Sequence, residues 1–67
     1  MKIILNNTPE QFEYKGLTVN ELLKVKKFTF KMLVIRINGT LVKKDMYATA
    51  TIKDGDDVMV LHLVSGG

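Results

Sequence analysis

A single helix signal, set among segments that alternate apolar and polar residues, does most to narrow the folds open to this chain. Thr18 precedes Glu21 by three positions. That spacing lets the hydroxyl cap the third helical amide while the carboxylate reaches back to the Thr18 N–H. Leu17 and Leu22 flank the cap at the spacing of a hydrophobic staple, and Val19, Leu22 and Leu23 form an apolar stripe. Lys24, Lys26 and Lys27 follow in the last turn, where positive charge complements the carbonyl end of the helix. One short helix must then cover one face of one sheet.

Strand patterns supply that sheet. Residues 2–6 alternate around Ile3 and Leu5, Asn7-Thr8-Pro9 marks a turn, and residues 11–15 alternate around Phe12 and Tyr14. Beyond the helix, residues 32–38 place Leu33, Ile35 and Ile37 on one face and Val34 and Arg36 on the other, and end in the hairpin signal Asn38-Gly39. Leu41 and Val42 return as a short strand, residues 44–51 read as irregular, and Asp54-Gly55-Asp56 is a turn whose glycine can take a positive φ. Residues 58–64 form the last strand.

This order predicts an α+β fold, the β-grasp: a mixed sheet of four to five strands with one main helix packed on one face and the final strand between the first and the third. Residues 1–64 are expected to form the domain and residues 65–67 a flexible tail ending in Gly-Gly. Alternation assigns Ile3, Leu5, Leu33, Ile35, Ile37, Met59, Leu61 and Leu63 to the helix side and Ile4, Val34, Arg36, Val60, His62 and Val64 to the other.

Composition removes most competing functions. A chain of 67 residues holds one small core, which excludes a multidomain enzyme. It has no cysteine, so disulfides and thiolate metal sites are out. With one histidine, no cysteine nucleophile and no glycine-rich phosphate loop, the chain is not expected to be a catalyst, and neither a cofactor nor a metal is expected. Asp54, Asp56 and Asp57 lack the spacing and closing glutamate of a calcium loop, and His62 reads as a half-exposed sheet residue. The net charge of +3 is modest, and Lys24, Lys26, Lys27, Lys43 and Lys44 are not interleaved with aromatic residues that could stack on bases, so no nucleic acid is expected. The first apolar run, Ile3-Ile4-Leu5, is too short for a signal peptide or a spanning helix. The chain therefore reads as cytoplasmic, with no membrane partner, and as a monomer when free.

The remaining unusual feature is Gly66-Gly67 directly after a strand. Lacking Cβ atoms, two glycines can thread an extended chain through a channel too narrow for other residues and deliver a carboxylate to a buried active site. From Thr18-Val19-Asn20-Glu21-Leu22-Leu23 through Ile37-Asn38-Gly39 and Asp54-Gly55-Asp56 to Gly66-Gly67, the chain resembles the ThiS family of ubiquitin-like sulfur carriers. Leu61-His62-Leu63-Val64 is also similar to the last strand of ubiquitin. The neighbouring MoaD carriers of molybdopterin synthesis typically have a Pro-Pro pair where this chain has His62-Leu63-Val64-Ser65. A MoaD-like carrier and a binding-only β-grasp in the manner of TGS domains remain the alternatives, and lysine conjugation in the manner of ubiquitin stays open.

The resemblance implies a protein cosubstrate. A ThiF-like adenylyltransferase would activate the Gly67 carboxylate with ATP, sulfur drawn from cysteine by a desulfurase would replace AMP, and the resulting thiocarboxylate would donate its sulfur in a ThiG-like thiazole synthase. Gly66 would serve the threading. Ile4, Val34, Arg36, Val60, His62, Val64 and Ser65 are expected to form the surface on which these partners dock.

Overall fold

The computed structural model describes residues 1–29 and 32–62. Strand β1 (Lys2–Leu5) turns back into β2 (Thr8–Gln11), and β3 (Gly16–Thr18) leads into helix α1 (Val19–Val25). Then come β4 (Leu33–Ile37), β5 (Thr40–Val42), a 3-10 turn at Lys44–Met46, β6 (Thr51–Lys53) and β7 (Asp57–His62). Five strands form one sheet in the order β2-β1-β7-β4-β5, and β3 pairs with β6 in a second, two-stranded sheet. β7 runs parallel to β1 and antiparallel to β4, so the last strand lies between the first strand and the first strand after the helix, as the β-grasp requires.

The helix begins where its cap predicts. The Glu21 N–H donates to Thr18 Oγ1 at 3.2 Å and the Thr18 N–H donates to Glu21 Oε1 at 2.8 Å, closing the capping box. The first two helical amides are met from across the small sheet: Val19 N–H donates to the Ala50 carbonyl and Asn20 N–H to the Tyr47 carbonyl, both at 3.0 Å. Donors that a helix start leaves without partners are thus shared between its own cap and the 47–50 segment. At the other end Lys27 adopts φ 57°, the Phe28 N–H reaches the Leu23 carbonyl at 2.8 Å and the Lys27 N–H reaches that of Lys24 at 3.2 Å. This pair of bonds is a Schellman motif, built here on a lysine where glycine is usual. Lys26 is tied to Glu10 on β2 by an ion pair of 3.1 Å.

Ile3, Leu5, Phe12, Leu17, Val19, Leu22, Ile35, Ile52, Val58 and Val60 make up the buried core. Leu17 and Leu22, the two ends of the predicted staple, are both in it. Ile52 is fully buried although it falls just past the segment read as irregular. It is held there because β6 pairs with β3 through Leu17↔Ile52, a contact between positions far apart in the chain.

Two turns follow the expected chemistry. Asn38 and Gly39 take φ 52° and 83°, the double positive φ of a type I′ hairpin, and Gly55 takes φ 87° between Asp54 and Asp56. The two turns are laced together, since Asn38 Nδ2 donates to Asp56 Oδ1 at 3.0 Å and the Asp57 N–H donates to Asn38 Oδ1 at 2.9 Å. The first hairpin differs from expectation. Its turn is Asn6-Asn7, with φ 51° and 65°, and not Asn7-Thr8-Pro9, so β2 starts at Thr8 and ends before Phe12. A two-residue turn of this type matches the right-handed twist of the strands, and Pro9 is tolerated because β2 is an edge strand.

The largest correction concerns the last strand. Register pairs Ile35 with Val60, Ile37 with Val58 and Leu33 with His62, so Val58, Val60 and His62 share the helix side, while Met59 and Leu61 lie on the opposite face. The alternation expected for β7 is therefore one residue out of phase. The strand is apolar at four successive positions, 58–61, and its hydropathy carries no period. The phase comes from the parallel pairing of Leu5 with Val58, which brings a buried residue of β1 beside one of β7.

Candidate functional site

Two features frame a site: the outer face of the large sheet, which the helix leaves uncovered, and the end of β7, from which the chain continues to Gly66-Gly67. Of the residues expected on the outer face, Ile4, Val34 and Arg36 are there. Ile4 alternates with the buried Ile3 and Leu5 and is 38% exposed, while Val34 and Arg36 flank the buried Ile35. Val60 is not part of this surface, being only 7% exposed in the core. His62 lies opposite Leu33 on the helix side, at the exposed end of the strand. Val64, Ser65, Gly66 and Gly67 lie outside the described residues, as does Leu63.

The places expected for Val60 and His62 are taken by Leu61, Met59 and Leu41. Leu61 is 43% exposed and stands opposite Val34. Met59 stands opposite Arg36 from one side and Leu41, 56% exposed, from the other. Ile4 pairs with Asp57, so Met59 is one step further along the same face. Ile4, Met59, Leu61, Val34 and Leu41 thus form an apolar strip across four adjacent strands, a surface of the kind that marks an interaction site. A signal for it existed in the sequence. Asp57, a charged residue at the mouth of β7, has the same parity as Met59 and Leu61 and would have placed them on the solvent side.

The end of β7 is anchored from the first turn. The Val60 N–H donates to Asn6 Oδ1 at 2.7 Å, just beyond the backbone bond from Asn6 N–H to the Val58 carbonyl at 2.9 Å. On the helix side, Asn6, Phe28, Leu33, Val60 and His62 enclose a hollow of about 190 Å³. A wider groove of about 700 Å³ runs between α1, β4 and β5, lined by apolar side chains such as Leu23, Phe28, Val42 and Tyr47 together with Lys43 and Lys44.

The acidic residues of the 54–57 turn are structural. Asp54 Oδ1 accepts the Lys2 N–H at 2.6 Å and Asp56 Oδ2 accepts the Lys53 N–H at 2.8 Å. Among the described residues, no group of three or more histidine, cysteine, aspartate or glutamate side chains is placed to hold a metal ion. No helix among them is long and apolar enough to cross a membrane. The Glu21 carboxyl is held below its ordinary pKa by the hydrogen bonds it shares with Thr18 in the cap.

A mixed sheet with its final strand in the middle, one capped helix across one face and an apolar strip on the other defines the ubiquitin-like β-grasp class. The sequence model of the ThiS family matches residues 3–67, and the chain belongs to that family. Its structure is similar to the crystal structure of the thiamine biosynthesis protein ThiS from Geobacter metallireducens, at 29% identity and a TM-score of 0.89 over 100% of both chains. A solution NMR structure of a thiamine biosynthesis protein from the same organism is similar at 29% identity and a TM-score of 0.81, over 100% of this chain and 88% of the other.

Proposed function

We propose that this protein is a sulfur carrier of thiamine biosynthesis and that Gly67 is its reacting residue. The observation that carries the reading is the family match, which runs through Gly66 and Gly67 on a fold whose last strand is clamped at the centre of the sheet. The strand that leads toward residues 63–67 is central to the sheet, so a partner that docks on the domain also holds that strand.

The chemistry follows from the weakness of a carboxylate as an electrophile. In a ThiF-like adenylyltransferase, the Gly67 carboxylate attacks the α-phosphate of ATP, and pyrophosphate leaves. The acyl-adenylate now has AMP as a leaving group; the outer sulfur of a desulfurase persulfide, drawn from cysteine, displaces it to give an acyl disulfide, and a thiol then cleaves the S–S bond, leaving the thiocarboxylate and a disulfide. The thiocarboxylate that results is ionised at neutral pH and attacks a carbonyl intermediate held in a ThiG-like thiazole synthase. The acyl group passes from sulfur to the former carbonyl oxygen and leaves with it, so the carrier departs with its carboxylate restored; it is a cosubstrate and the catalysis belongs to its partners. Residues 1–64 supply the domain that is recognised, the strip of Ile4, Val34, Met59, Leu61 and Leu41 serves as the docking face, and residues 65–67 serve as the reactive tail.

Intact mass measurement of the protein taken from cells tests this reading. The expected result is a species heavier by the exchange of one oxygen for sulfur, with the change confined to the peptide holding Gly67. Adding one residue after Gly67 should abolish ATP–pyrophosphate exchange by the adenylyltransferase while leaving the thermal unfolding curve unchanged. Undiminished exchange with the extended chain overturns the assignment of Gly67.

A further inference from the structure

The apolar strip on the outer face carries one cation within it. Arg36 on β4 stands directly opposite Met59 of β7 on one side and Leu41 of β5 on the other, and Val34 and Leu61 pair two residues away. The side chain is exposed. Among the described residues no carboxylate lies within ion-pair distance of it, and the ion pair formed there joins Lys26 to Glu10 elsewhere on the domain. Asp57, the acid of β7 on the same face, lies two residues from Met59 and forms no ion pair with Arg36, while Asp54 and Asp56 accept backbone amides of Lys2 and Lys53.

In water an exposed guanidinium costs nothing to keep. The situation changes when a partner covers the strip. A surface laid over Met59, Leu61 and Leu41 also strips water from Arg36, and a cation left unpaired in such an interface offsets much of what the surrounding apolar contacts contribute. A partner can cover this face tightly only if it brings an anion to that point.

From this juxtaposition we infer that the protein that docks on the outer face presents a carboxylate to Arg36 within an otherwise apolar surface, and that Arg36 selects that partner over others. This rests on the carrier reading, since it specifies the chemistry of the surface on the adenylating enzyme. The planar guanidinium donates two parallel hydrogen bonds to a carboxylate, a fork that a lysine ammonium does not reproduce. Apolar residues supply the buried area, and the guanidinium supplies the discrimination, because a partner with an apolar or basic group at that point must bury an unpaired charge. Arg36 is a specificity residue, with no role at the reacting carboxylate.

Calorimetric titration of the full chain into the ThiF-like adenylyltransferase of the same organism, without ATP and at low and high salt, tests the inference. The variants are Arg36→Lys, Arg36→Met, Arg36→Glu and Leu61→Asp, each first shown to melt at the native temperature. Arg36→Glu should bind at least about a hundredfold more weakly and Arg36→Met about tenfold more weakly, with Arg36→Lys between Arg36→Met and the native chain. The salt dependence of the native complex should be largely lost in Arg36→Met. If Arg36→Met binds as tightly as the native chain and Arg36→Glu stays within about threefold, Arg36 faces solvent in the complex and the inference is wrong. Should that happen while Leu61→Asp weakens binding, the docking face stands and only the role of Arg36 falls. If Leu61→Asp itself binds normally, docking does not use this face and the inference falls with it. The sulfur-bearing mass of Gly67 tests the carrier reading separately.

Discussion

The carboxamide of Asn6, in the first turn of the chain, accepts the amide proton of Val60 in its last strand at 2.7 Å. β1 ends at Leu5, so its backbone can supply the parallel ladder only as far as the Asn6 N–H bond to the Val58 carbonyl. The side chain of Asn6 adds one further rung and satisfies an amide that would otherwise sit against the core without a partner. The same residue takes φ 51°, which asparagine tolerates better than most side chains.

Replacing Asn6 therefore removes two things that can be separated. Asn6→Gly keeps the turn geometry and loses the acceptor, and should destabilise the protein by about 1 to 3 kcal/mol. Asn6→Ala adds the strain of a positive φ and should cost more than Asn6→Gly, while Asn6→Asp, which keeps an acceptor, should cost less. Urea unfolding of the three variants checks the order. Equal losses for all three would mean that the bond to Val60 contributes nothing.

Val60 and Leu61 are adjacent in sequence and opposite in consequence. Val60→Asp puts a charge into the core and should cost about 3 kcal/mol or more, a large share of what a domain this small holds. Leu61→Asp lies on the outer face and should change stability by less than about 0.5 kcal/mol. Circular dichroism melts of the pair decide the phase of β7 directly, and a cooperative native-like melt for Val60→Asp is the outcome incompatible with it.

The C-terminal turn of the helix offers a stabilising change. Lys27 occupies the left-handed position of the Schellman motif, where an L-residue with a Cβ is strained by about 1 kcal/mol or somewhat more and glycine is not. Lys27→Gly should raise stability by about that amount, read as a higher urea midpoint at unchanged slope. A lower midpoint would show that the flexibility glycine adds to the unfolded chain outweighs the relieved strain.

Acid should weaken the helix cap at the other end. The Glu21 carboxyl has its pKa lowered below 4.5 in the folded protein by the Thr18 hydrogen bonds. A group whose folded pKa is depressed contributes stability that is fully present above its unfolded pKa and is lost as pH falls through the lower, folded value. Glu21→Gln keeps a capping side chain and removes the titration. The stability advantage of the native protein over this variant should be constant near neutrality and shrink below about pH 4.5, the ordinary value for glutamate. Unfolding measured at a series of acidic pH values provides the comparison, and an advantage that grows on acidification contradicts the cap.

By itself the sequence determined the parts of this protein that depend on neighbours within a few residues. Thr18 and Glu21 make their reciprocal bonds across three positions, Asn38-Gly39 closes a two-residue turn, and Gly55 takes the one backbone conformation its turn demands. With a single helix in a chain of strands, those local signals were enough to imply the β-grasp. They also brought out Ile4, Val34 and Arg36 as an outer face. What the tertiary structure alone decided is the phase of β7 and the burial of Ile52. Residues 58–61 are apolar on both faces, so no hydropathy period distinguishes inside from outside. Parallel pairing of Leu5 with Val58 and antiparallel pairing of Ile35 with Val60 set that phase, while Leu17 captures Ile52 across the small sheet. Each of these contacts joins residues at least 25 positions apart, where it is the closing of the whole core that fixes the partner and no local preference of the chain can.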